Sequence, residues 1–200
     1  MQKAMRICDA SFGNIYRWNS GAFSLVATYN TPPAFAEFRG RAPIRPEPND
    51  PLGRVVATKA VIHITDAAAR QDYIDRDQTA VAVVELGGMR TVLIVPMLQE
   101  DELIGAFTVY RQEVRPFPDK QIELVQNFAA QAVIAIENAR LLNELRQSLE
   151  QQIATAEVLR VISSSPGALE PVFKALLENA TRLCGASYGN MWLCEADAFR

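Results

Sequence analysis

RTVLIVPMLQEDELIGAFTVYR, from Arg90 to Arg111, sets two runs of β-branched and apolar residues on either side of the acidic turn Gln99-Glu100-Asp101. This pattern predicts two long antiparallel strands joined as a hairpin, Arg90 to Leu98 and Glu102 to Arg111. Pro116 and Pro118 then end the strand region, because proline brings no N–H to a ladder. Upstream, NIYRW from Asn14 and FSLVATY from Phe23 to Tyr29 predict a second hairpin about Asn19-Ser20-Gly21. VIHIT, from Val61 to Thr65, adds a fifth strand, with Val61 and His63 on one face and Ile62 and Ile64 on the other.

Helix signals fill the gaps. Thr31-Pro32-Pro33 reads as an N-cap followed by prolines at the first helical positions, with Phe35 and Phe38 on one face and Gly40 as the stop. Pro43, Pro46, Pro48 and Pro51 predict an extended surface loop, followed by a helix over about Leu52 to Thr58. Asp66 is placed to cap a turn through Ala67 to Arg70. Asp77 is placed to cap a helix through Val81 and Val84 that stops at Gly87-Gly88.

From Asp119 there is no proline or glycine until Pro166, which predicts a single helix from Pro118 to Ser163, roughly 70 Å long. Ile122, Val125, Ala129, Ala132, Ile136 and Ala139 keep heptad spacing, Leu142 and Leu145 break it by a stammer, and Leu149, Ala156 and Leu159 resume it. No single domain is that wide, so the distal half is expected to pack against the same helix of a second subunit. SSSPG, Ser163 to Gly167, ends the helix, and an amphipathic helix follows from Leu169 to Leu183.

The 49% hydrophobic content and net charge of −3 describe an ordinary soluble chain, without the basic excess that nucleic-acid or anionic-membrane binding leaves. No run approaches the ~20 apolar residues of a membrane span and no signal peptide is evident, so the expected location is cytoplasmic. Cys8, Cys184 and Cys194 have no metal-ligand spacing and are expected to be buried free thiols.

The order of elements resembles a GAF domain: an α+β fold, related to PAS domains, with a six-stranded antiparallel sheet between helices and a long C-terminal exit helix. GRVVATKAVIHITD, the Arg90–Arg111 hairpin and FPDKQIELVQNFAAQAVIAIENARLL carry the resemblance. RICDASFGN near the start recurs as RLCGASYGN: Arg6, Cys8, Ala10, Ser11, Gly13 and Asn14 reappear as Arg182, Cys184, Ala186, Ser187, Gly189 and Asn190. LEPVFKALLENATRLC, ahead of the second copy, resembles the helix that leads into such a domain, and the first copy lacks it. The implied organisation is a GAF domain over 1–147 without its leading helix and a coiled-coil linker over 148–167. Residues 168–200 would then be the leading helix and first strand of a second, truncated GAF domain. VLRVISSSPGALEPVF is similar to linkers between tandem GAF domains of bacterial sensor histidine kinases.

That resemblance implies a sensory or regulatory module that binds a small molecule or relays a conformational change along a homodimeric exit helix to an output kinase. The groove of the missing leading helix would be filled by Leu169 to Leu183, either folded back from the same chain or, more readily, with residues 169–200 exchanged between subunits. No catalytic or metal site is expected, no cofactor is assigned, and any kinase activity would lie outside this chain. By the same resemblance a ligand pocket would be lined by Tyr29, Phe38, Arg54, Asp66, Tyr73 and Arg90, with Arg54 or Arg90 neutralising an anion. Two alternatives stand beside it, a thiol redox enzyme of the methionine-sulfoxide reductase type using Cys8 and a ligand-free dimerisation module. His63, the sole histidine, has Ile62 and Ile64 as neighbours, so it lacks the adjacent cysteine of bilin-attaching relatives. Asp72, Asp75 and Asp77 read as a solvated acidic loop.

Overall fold

The computed structural model describes residues 12–164, 169–192, 194–195 and 198–199. They fall into two compact units divided between Ile136 and Glu137. In the first unit, β1 (Phe12–Asn19) pairs with β2 (Ala22–Tyr29), and α1 (Pro33–Gly40) and α2 (Pro51–Thr58) lead to β3 (Ile62–Ile64). A 3-10 turn (Ala67–Ala69), α3 (Gln71–Ile74), α4 (Gln78–Val81) and a π-helical turn (Ala82–Leu86) precede β4 (Thr91–Gln99) and β5 (Glu102–Arg111). The sheet is antiparallel, in the order β2-β1-β5-β4-β3.

The β4–β5 hairpin closes on Glu100 and Asp101, both with positive φ (48° and 63°). Two left-handed central residues match the right-handed twist of the flanking strands, and the Lys59 ammonium steadies the turn by donating to the Asp101 carbonyl at 2.6 Å. Pro96 is tolerated within β4 because β3 pairs only with Val92 to Ile94, so Pro96 lies beyond its reach. Both faces of the sheet are buried. Leu93, Val95, Met97, Phe107 and Val109 pack on one side with Phe117, Val125, Ala129 and Val133, while Val92, Ile94, Ala106 and Tyr110 pack on the other with Phe23, Phe35 and Val55. Each buried valine, leucine, isoleucine, methionine or phenylalanine among them contributes about 1.5–3 kcal/mol, and a strand apolar on both faces reads as a continuous hydrophobic run.

Among the described residues the sheet has five strands, one fewer than the six the resemblance implies. Alongside β2, Ile44 makes a single antiparallel bridge to Phe23, with N–H···O distances of 2.7 and 2.8 Å in the two directions. Pro43 and Pro46 flank it and cannot extend a ladder. Two other local expectations change. Thr31 does not cap α1; its hydroxyl donates to Asn14 Oδ1 at 2.7 Å. The helix expected to run from Asp77 to Gly87 is instead α4 followed by the π turn, although Asp77 does accept from Ala80 N at 2.9 Å.

α5 (Asp119–Ser164) begins in the first unit and ends in the second. Ile122, Val125, Phe128, Ala129, Ala132 and Val133 pack on the sheet, so the first part of the heptad seam is used by its own domain. Beyond it, Leu142 (54% exposed), Leu145 (65%), Leu149 (53%) and Leu159 (58%) stand in solvent. Within the second unit, α6 (Leu169–Cys184) is tied to the distal part of α5 by Arg182 Nη2 to Glu157 Oε2 at 3.0 Å, where Ala154 is buried. Residues 186–192, expected to enter a strand, have none; β6 (Cys194–Glu195) and β7 (Ala198–Phe199) pair with each other. No helix among the described residues is long and apolar enough to cross a membrane.

Candidate functional site

A cavity of about 90 Å³, open to a water-sized sphere, lies between one face of the sheet and the helices that cross it. One water needs about 10–15 Å³ by that measure, so the space suits a small organic molecule. Tyr16, Val92, Ile94 and Thr108 form the sheet side; Phe35 and Arg39 come from α1, Pro51 and Leu52 from α2, and Val83 and Val84 from the π turn. The sequence builds this locally. Phe35 and Arg39 are four apart in α1 and so share a face, and Gly53 lets α2 approach the proline loop, since a Cβ there would stand 1.8 Å from the Glu47 carbonyl oxygen. The π turn widens the helix where Val83 and Val84 meet the cavity.

The cavity is mainly apolar, with polar groups at chosen points. Arg39 is only 8% exposed and its guanidinium lies over the rings of Phe35 (5.3 Å) and Phe38 (5.7 Å). Its Nε is buried without a hydrogen-bond partner, and so is Thr108 Oγ1. Burial raises the Tyr16 pKa, opposed chiefly by the charge of Arg39, so the phenol stays protonated. At the rim, Arg70 holds Asp72 with Nη2–Oδ2 at 2.6 Å and Nε–Oδ1 at 3.0 Å.

None of the six residues expected at the pocket borders this cavity. Asp66 and Arg90 do come together, but with each other: Nε–Oδ1 and Nη2–Oδ2 are both 2.8 Å. The arginine's hydrogen bonds hold the Asp66 carboxyl below its usual range, and the same carboxylate caps the 3-10 turn through Ala68 N. Tyr29 packs on the opposite, α5 side of the sheet. Arg54 is exposed, and Phe38 and Tyr73 are half-buried just outside the wall. Arg39 and Thr108 were missed by sequence reasoning. The signal for Arg39 was present, because helical spacing pairs it with Phe35; nothing local marks Thr108.

Of the thiols, Cys8 lies outside the described residues, and Cys184 is free and exposed rather than buried. No cluster of potential metal ligands occurs among the described residues. His63 lies on the α5 side, where its Nε2 accepts from Phe117 N at 3.2 Å. Arg111, 3% exposed, fastens the same junction: its guanidinium sits 4.1 Å from the Phe117 ring centroid, Nη1 donates to the Arg115 carbonyl at 2.7 Å, and Nη2 donates to Gln121 Oε1 at 2.9 Å. β3, β5 and the start of α5 are thus held at one joint.

A small cavity on one face of an antiparallel sheet, and a long helix leaving from the other, define an α+β domain with an internal pocket. The chain belongs to the GAF domain family, whose model matches residues 1–136. It is similar to the GAF domain/HD domain protein from Geobacter sulfurreducens, with a TM-score of 0.60 at 16% identity, over 70% of this chain and 88% of that one. A domain attributed to a two-component sensor histidine kinase protein from Sinorhizobium meliloti 1021 gives 0.57 at 18%, over 73% and 91%. The GAF domain of a phosphoenolpyruvate-protein phosphotransferase from Coxiella burnetii gives 0.55 at 19%, over 71% and 82%. At these identities the likeness is one of fold.

Proposed function

We propose that this chain is a sensory or regulatory module of a cytoplasmic bacterial signalling protein. A ligand taken into the domain alters the joint at Phe117, and α5 carries the change to an output domain such as a histidine kinase. The chain itself performs no catalysis in this reading. The observation that carries it is the exposed row Leu142, Leu145, Leu149 and Leu159, on a helix whose first turns belong to the domain core. Leucines three and four residues apart along one stripe of a helix are costly in solvent unless a second helix covers them, and a second copy of α5 has the matching row. The cavity on the opposite face of the sheet supplies the input, and Arg111 and His63 supply the connection.

The expected exchange of residues 169–200 between subunits is not needed for this reading, which rests on the leucine row of α5 alone. Sedimentation velocity of the whole chain tests the proposal. A dimer is expected, and Leu145→Glu with Leu149→Glu should convert it to a monomer with an unchanged circular dichroism spectrum. A wild-type chain that stays monomeric at high concentration would sink it.

A further inference from the structure

We propose that the cavity takes a small monocarboxylate with a branched or aromatic body, its acid group held by Arg39 and Thr108. The inference deepens the sensory reading by naming the chemistry of the ligand, and it rests on that reading for its biological meaning. Arg39 as a residue is only 8% exposed and its Nε is fully buried, so that nitrogen has lost water without gaining a hydrogen bond, a cost that the two phenyl rings beside it offset only in part.

The other charged groups of the wall are already engaged. Arg70 is bound to Asp72, Asp77 caps α4, and Asp50 accepts from Glu47 N at 3.0 Å. Among the described charged residues bordering the cavity, Arg39 is the one with neither an ion pair nor a hydrogen bond. Thr108, on the sheet side of the same space, has a buried hydroxyl in the same condition. Two buried donors on facing walls, neither with a partner, define a site for an acceptor, and the guanidinium favours one that carries negative charge.

Size and surroundings narrow the class. Arg39 is the one cation of the wall without an acid partner, so it matches a single negative charge, whereas the second charge of a phosphate monoester would find no partner and would face Asp50 and Asp77. A cavity of about 90 Å³ by this measure suits a small acid such as isobutyrate or benzoate. Ile44, Leu52, Ile64 and Val84 offer apolar contact for its body. A bare inorganic anion would leave these side chains facing empty space.

Thermal unfolding of the whole chain tests this with matched probes: isobutyrate and benzoate, their amides isobutyramide and benzamide, and sodium chloride at equal ionic strength. The acids should raise the midpoint saturably, and the amides and chloride should not. Arg39→Met should remove the acid-dependent rise, and Thr108→Val should weaken apparent affinity about tenfold. If Arg39→Met does not fold, the Thr108→Val result decides. Equal shifts from acids and amides would overturn the inference, as would an acid shift that survives in Arg39→Met. No shift from any probe would also overturn it, and would favour a ligand-free dimerisation module. Loss of acid selectivity in a chain that still dimerises through its leucines defeats this inference alone. Selective acid binding by a monomer defeats the relay and leaves the ligand class standing.

Discussion

His63 gives the β3–α5 joint a dependence on pH. His63 is exposed at the sheet edge, and partial desolvation of its ring, with the charge of Arg111 second, lowers its pKa from 6.5 while Asp119 acts the other way. Its Nε2 accepts from Phe117 N only when the ring is neutral. Because the unfolded chain takes up a proton first, this contribution to stability is complete above about pH 6.5 and is lost as pH falls from there toward the folded-state pKa. Thermal midpoints measured between pH 7 and 5.5 should therefore decline in the wild type. In His63→Gln, which keeps an acceptor but cannot titrate, the decline should be shallower; identical slopes would refute the assignment. Single residues were the hardest part of the molecule to read. Asp66 and Arg90 are expected from the resemblance to line a ligand pocket, and nothing in a spacing of 24 reveals that they bind each other. Phe38 was chosen over its neighbour Arg39, although the helical period sets Arg39 with the buried Phe35.

Elements were far more legible, because periodicity and turn chemistry are local. Both hairpins, β3, α1, α2 and α5 lie where alternation, proline and glycine place them. The errors fall where tertiary contacts override local preference. Thr31 was drawn to Asn14, and the turn after α4 took π geometry beside the cavity. β5 contains one feature that its sequence shows without explaining. Gly105 lies against β1 so closely that a Cβ would come 2.3 Å from the Tyr16 carbonyl oxygen, a backbone atom that cannot easily retreat. Gly105→Ala should destabilise the domain by about 2 kcal/mol in chemical denaturation. Gly40→Ala, where nothing lies within 4 Å, should change the midpoint by at most about 0.5 kcal/mol and serves as the control.

At the scale of the whole molecule, the family match to residues 1–136 and the division after Ile136 agree on where the sheet domain ends. Its core draws on α5 only as far as Val133. A chain ending at Arg140 should therefore keep the near-ultraviolet circular dichroism of the packed domain and unfold in one transition, while losing the ability to dimerise. Loss of the near-ultraviolet signal would show that the domain needs later residues. The bridge between Phe23 and Ile44 has a consequence for solubility. Exposed sheet edges invite strands from other molecules, but on β2 the Phe23 ladder position is occupied by a segment whose prolines admit no further pairing. That edge is guarded against the strand-by-strand growth that leads to aggregation.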